Sequence, residues 1–152
     1  MSDRHFTLEQ ANELVPRVHA VMHRLLQLQL HLRATSRALL QAGVRVGPDE
    51  PGREVGPNDD PRLRLRVQQA RGILEAVRET IAEIESLGAQ VKDVERGLVD
   101  FPSLLDGTRE VLLCWRIGEP SITHWHEVEG GFDGRQSIEG HNFASERRVL
   151  AG

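Results

Sequence analysis

The feature that most constrains this chain is a change of apolar rhythm at Gly88. Before it, apolar residues recur at alternating steps of four and three: Leu14, Val18, Val21, Leu25, Leu28, Leu32, Thr35 and Leu39, then Leu63, Val67, Ala70, Leu74, Val77, Ile81 and Ile84. That spacing keeps one stripe of a helix apolar, so two amphipathic helices are expected. After Gly88 the pattern shortens to alternation, as in VLLCWRI and ITHWHEV, which fits strands with one buried face. A chain that changes period once, with all its helix first, is expected to be α+β.

The helix ends are written in local chemistry. Thr7, with Gln10 three residues later, forms a capping box, and Phe6 stands where a hydrophobic staple residue would. A helix of roughly nine turns follows. Pro16 lies inside it and removes one backbone donor, so a kink or a short separate first segment is expected there. Residues 43–60, GVRVGPDEPGREVGPNDD, are rich in Gly, Pro and acids and read as a mobile loop. Asp60 then caps a second helix with Pro61 at its first position, and Gly88 closes it. The expected architecture is a long antiparallel helical hairpin, residues 7–88, with a small antiparallel β-meander packed against it. The sheet and its loops occupy 89–140, a loose tail 141–152, and the whole of 1–152 reads as one domain.

Three strands are expected, at Gly97–Phe101, Val111–Ile117 and Ile122–Val128. Pairing Ile117 with Ile122 would put Val111, Leu113, Trp115, His124 and His126 on one face, and Leu112, Cys114, Arg116 and Trp125 on the other. Pro120 fits a tight turn poorly, and a slip of one residue would reverse every assignment.

Charge and composition narrow the classes of function. The chain has 152 residues and a net charge of −4, with six arginines against two glutamates between residues 4 and 45 and an acidic excess after 89. No basic stripe is interleaved with aromatics, and with two Trp, four Phe and no Tyr there is little to stack on bases, so nucleic acid is not an expected partner. No apolar run reaches the length of a membrane span, no signal peptide is legible at the start, and one cysteine cannot form an internal disulfide. A cytoplasmic location, with no membrane partner, is the expectation.

The polar residues able to do chemistry gather between residues 90 and 136. His124 and His126, two apart on a strand, point to the same side and can reach one divalent ion such as zinc, manganese or iron, with Glu119, Glu129, Asp100 or Asp93 completing the ligands. The alternative is a pair of core or rim histidines with satisfied nitrogens. Lys92, the only lysine, sits beside Asp93, and Arg135 follows Gly130, Gly131 and Gly134. These three are candidates for holding a small anionic ligand, or else ordinary surface residues, with Arg135 paired to Glu127 or Glu129. Cys114, inside the apolar run VLLCW, reads as a small buried side chain, with nucleophile or ligand as its alternative.

FTLEQANELVP, VKDVERGLVDFP and VLLCWRIGEPSITHWHEVEGGFDGRQ, in that order, resemble a bacterial family catalogued as domain of unknown function 2203. The resemblance covers nearly the whole chain and implies a small cytosolic bacterial protein with no established activity, cofactor or substrate. The residues matching its pattern are Lys92, Asp93, Gly97, Asp100, Cys114, Trp115, Gly118, Glu119, Trp125, His126, Gly134 and Arg135, whereas His124 falls where variety is expected. That shifts weight from the His-x-His pair to His126 with acids from other strands.

Two functions follow as expectations. In the first, a polar pocket on the sheet binds a divalent metal or a small anion and supports hydrolysis. In the second, the hairpin is a non-enzymatic interaction module that forms a homodimer through its leftover apolar helix surface, and the sheet is structural.

Overall fold

The structure, a computed structural model, describes residues 4–47 and 49–149. It contains helices α1 (Leu8–Gln41) and α2 (Pro61–Ser86), then strands β1 (Gln90–Asp93), β2 (Leu98–Leu105), β3 (Arg109–Arg116), β4 (His124–Glu127), β5 (Gln136–Ser137) and β6 (Phe143–Ala144). A 3₁₀ turn, Phe132–Gly134, precedes β5. The fold is α+β, and no helix among the described residues is long and apolar enough to cross a membrane. The chain divides into two compact units, Met1–His23 with Ala82–Gly152, and Arg24–Ile81.

Arg24–Ile81 holds the second half of α1, the connection and most of α2. Leu39 at the end of α1 packs with Val67 and Ala70 near the start of α2, and Val44 and Val46 of the connection complete this core. The Asp60 carboxylate accepts from the Arg62 N–H at 2.9 Å, as an N-cap should. The connection, expected to be mobile, is tied internally, although Pro48 within it lies outside the described residues. Arg45 and Arg53 bridge its two arms through Arg45 N–H to Arg53 O and Arg53 N–H to Gly43 O, both 2.9 Å. The Arg53 guanidinium donates twice to Asp59 at 2.8 Å, and with the Gly56 N–H it holds that carboxyl down to about 2.

The other unit is built on the sheet. The capping box forms as expected, Gln10 N–H to Thr7 Oγ1 at 3.0 Å and Thr7 N–H to Gln10 Oε1 at 2.9 Å. α1 runs unbroken through Pro16, so no separate first segment exists. Phe6 is fully buried, its ring edge-on to Phe101 at 5.5 Å. Asn12 accepts from the Ile122 N–H at 2.8 Å, and the His19 ring meets Trp115 at 6.1 Å. The first turns of α1 therefore cover the face of the sheet that carries Phe101 and Trp115.

The sheet is antiparallel in the order β1-β2-β3-β4-β5, with β6 also pairing β2. Every residue of β2 is buried. Pro102 lies within it between the stretches paired to β1 and to β6, with its carbonyl turned outward to accept from the Phe6 N–H at 2.7 Å. A proline fits there because its ring nitrogen faces a side where no strand asks for a donor. Gly97 precedes β2 with φ 68°, and a Cβ there would run into the Ile117 side chain, so only glycine fits.

The structure corrects the strand register. Cys114 pairs with His124, Leu113 with Trp125, and Leu112 with His126, one residue away from the Ile117–Ile122 pairing. β3 ends at Arg116 and β4 begins at His124, so the link is wider than a tight turn. Glu119 organises it: its carboxylate accepts from the Arg116 N–H at 2.6 Å, and its carbonyl accepts from Trp115 Nε1 at 2.9 Å. His124 and His126 consequently share a face with Cys114 and Leu112, and through the β2–β3 pairing with Asp100 and Pro102. Nor is the segment after residue 140 loose as far as residue 144. Phe143 is buried opposite Leu105 and touches the Trp125 ring, while residues 150–152 of the expected tail lie outside the described residues.

Candidate functional site

The face opposite Phe101 and Trp115 carries a cavity of about 180 Å³. Asp100, Cys114 and His126, from three neighbouring strands, supply its buried polar groups; Leu98, Val128 and Phe132 its apolar lining; and Lys92 and Glu129 its exposed charges. Alternation places Asp100 and Cys114 side by side in β2 and β3, and His126 reaches across β3 from β4. The three ligand-type atoms lie within 4.8 Å of one another. Asp100 and His126 are each 2 % exposed and Cys114 1 %.

The protons in this cluster follow from its hydrogen bonds. His126 Nδ1 lies 2.7 Å from the Glu127 carbonyl oxygen, which only accepts, so Nδ1 carries a hydrogen. His126 Nε2 lies 2.9 Å from Asp100 Oδ2. An imidazole lone pair facing a carboxylate would repel, so one more proton lies between them, as imidazolium with carboxylate or as imidazole with carboxylic acid. Burial pushes the Asp100 carboxyl up, and the His126 charge opposes the push. The Cys114 thiol is pushed up to about 12, first by burial and then by the neighbouring Asp100 charge, which makes it a poor free nucleophile. Asp100 Oδ1 is buried with no N–H or O–H donor on it, and only the weakly donating Cys114 thiol stands beside the carboxylate. Such an orphaned acceptor is costly in a protein interior and calls for an explanation.

Of the residues singled out in the sequence, the structure brings Asp100, His126, Lys92, Glu129 and Cys114 to this cavity. His124 does not join them: its Nδ1 lies 2.8 Å from Thr123 Oγ1 at the start of β4, so the His-x-His pair does not converge on one ion. Glu119 is also elsewhere, bound by Arg135 Nη2 at 3.0 and 3.1 Å and lining a separate groove with Val15, Pro16 and His19. That ion pair occupies Arg135, which was expected to clamp a ligand or to meet Glu127 or Glu129. Glu127 instead pairs with Arg109 at 2.8 Å. Asp93 turns away to accept from the Arg96 N–H at 3.0 Å. Cys114, expected to be no more than a small buried side chain, reaches the cavity through the register, and Phe132 joins it from the 3₁₀ turn without any signal in the sequence. The ring of Phe132 has the guanidinium of Arg135 at 4.9 Å, of Arg96 at 5.8 Å and of Arg116 at 5.9 Å.

Fold and cavity define a small α+β protein with a buried Asp–Cys–His cluster beneath a charged opening. Residues 4–138 match the family model described as "Uncharacterized conserved protein (DUF2203)", and the chain belongs to that family. No curated protein and no solved structure matches it.

Proposed function

We propose that this protein binds a divalent metal ion through Asp100, Cys114 and His126, with zinc the best-suited ion, and uses it for hydrolytic chemistry on a small molecule in the cavity. The observation that carries this reading is the convergence of one oxygen, one sulfur and one nitrogen ligand within 4.8 Å, in a cluster that leaves Asp100 Oδ1 without an N–H or O–H donor. Mixed N, O and S ligation favours zinc over manganese or magnesium. Three protein ligands leave a position for water, the arrangement of catalytic rather than structural zinc sites. The Glu127 carbonyl on Nδ1 supplies the outer contact that fixes the histidine tautomer and leaves Nε2 for the ion.

The test is elemental analysis of untagged protein purified without chelators, beside His126→Ala and His124→Ala. Near-stoichiometric zinc is expected in the wild type and in His124→Ala, with loss in a still-folded His126→Ala. Wild-type protein that is metal-free and takes up no zinc, manganese or iron on titration would remove the reading.

A second reading, a homodimer through the helices, is favoured by the exposure of Leu30 (66 %), Leu40 (47 %) and Leu65 (55 %) in the unit Arg24–Ile81. Sedimentation equilibrium tests it: a dimer that Leu30→Glu and Leu65→Glu convert to monomer supports it, and a wild-type monomer at high concentration ends it.

A further inference from the structure

Lys92 and Glu129 line the same cavity with opposite charge and are both exposed; neither side chain forms a salt bridge or hydrogen bond among the described residues, and the Lys92 charge acts on the buried Asp100 carboxylate. Their neighbours behave differently. Arg96 pairs with Asp93, Arg109 with Glu127, and Arg135 with Glu119, whereas Lys92 and Glu129 point their charges to the opening without a direct partner.

The position of Lys92 is built into the backbone. β1 pairs Val91 with Val99 and Asp93 with Leu98, so Lys92 is the extra residue of a β-bulge. Bulges re-aim a side chain and are over-represented beside functional sites. This one presents the only lysine of the chain to the opening above Asp100. Glu129 lies two residues beyond the end of β4 and three after His126.

We propose that the cavity binds a small zwitterion, an amino acid or a molecule with the same two charges, whose carboxylate meets Lys92 and whose ammonium meets Glu129. A simple anion would find one cation but two further carboxyl groups, Asp100 and Glu129, lining the space. A simple amine would meet Lys92 with like charge. A ligand carrying both charges satisfies both groups, and its short apolar part fits against Leu98, Val128 and Phe132. About 180 Å³ is the liquid volume of about six waters, which suits a molecule of a few carbons. The inference concerns the same cavity as the metal reading but does not depend on an ion being bound.

The experiment is calorimetric titration of the full chain, metal-free and zinc-treated, with alanine, propionate and ethylamine. Alanine is expected to bind about twofold to fivefold more tightly than either single-charge analogue, the gain one exposed ion pair supplies. Lys92→Met should bring alanine down to the level of ethylamine, and Glu129→Gln to that of propionate, with thermal unfolding unchanged because both side chains are exposed. Propionate binding as tightly as alanine, indifference of alanine to both substitutions, or no alanine binding in either form of the protein would overturn the inference. Alanine binding without zinc uptake would leave the inference standing and remove the metal reading; zinc uptake without alanine binding would do the reverse.

Discussion

If zinc occupies the Asp100–Cys114–His126 cluster, its affinity must fall steeply with acidity, and the geometry fixes how steeply. Before binding, one proton lies between His126 Nε2 and Asp100 Oδ2, at 2.9 Å, and another sits on the Cys114 thiol, pushed up to about 12. An ion ligated by Nε2, a carboxylate oxygen and a thiolate displaces both, because ligands bind in their deprotonated forms, while Nδ1 keeps its hydrogen to the Glu127 carbonyl. Each displaced proton makes the apparent binding free energy about 1.4 kcal/mol more favourable per unit rise in pH. Two protons make the dissociation constant fall about a hundredfold per unit. The sign is fixed: binding strengthens as pH rises. Competition with a chromophoric chelator between pH 6 and 8 measures the slope, and calorimetry in two buffers of different ionisation enthalpy counts the protons directly. Cys114→Ser should lower the count from two to one. A wild-type count of one that Cys114→Ser leaves unchanged would refute the reasoning, since it would leave Cys114 outside the ligand set.

Four further outcomes follow from the packing and the charges. Gly97→Ala should lower the unfolding free energy by at least about 2 kcal/mol in urea titrations, because the residue has φ 68° and a Cβ would meet Ile117. Phe6→Ala should cost about 3–5 kcal/mol by the same measurement, since the ring is fully buried against Phe101. Asp59, held at about 2 against an ordinary 3.8, contributes stability that is present above its ordinary value and lost as pH falls toward 2, so Arg53→Ala should flatten the acid dependence of unfolding in that interval. Asp100→Asn should keep the fold, because an amide N–H can donate to a neutral His126 Nε2, yet zinc affinity should drop by an order of magnitude or more, read in the same chelator competition.

The helices were legible in the sequence because their signals are local. The Thr7–Gln10 box, Asp60–Pro61 and the αL glycine at 88 each depend on residues within one turn, and all three stand where the sequence put them. The strand register was not legible, because the link between β3 and β4 is organised by Glu119 reaching back to Arg116 and across to Arg135 rather than by a two-residue turn. One residue of slip was enough to move His126 from the side of Trp115 to the side of Cys114 and Asp100. Lys92 was noticed as the only lysine, but a bulge shows itself in pairing and not in composition. β5 and β6 have two residues each, too short for any periodicity, and Phe143 is held by Leu105 and Trp125, partners remote in sequence.

The outer edge of β2 is closed by β1 over residues 98–100, by the Phe6 N–H at Pro102, and by β6 at residues 104 and 105. Those three closures arrive at different times during synthesis. Phe6 is made first and β1 shortly before β2, but Phe143 emerges from the ribosome some forty residues later. For that interval the sequence LVDFPSLL has part of its backbone open to pairing with another nascent chain. Asp100 and Pro102, just upstream of that open end, put a charge and a missing donor into the same strand, two features that discourage intermolecular stacking. The buried carboxylate of the folded cavity is thus, before folding, a charge that keeps a bare strand from pairing with its neighbours.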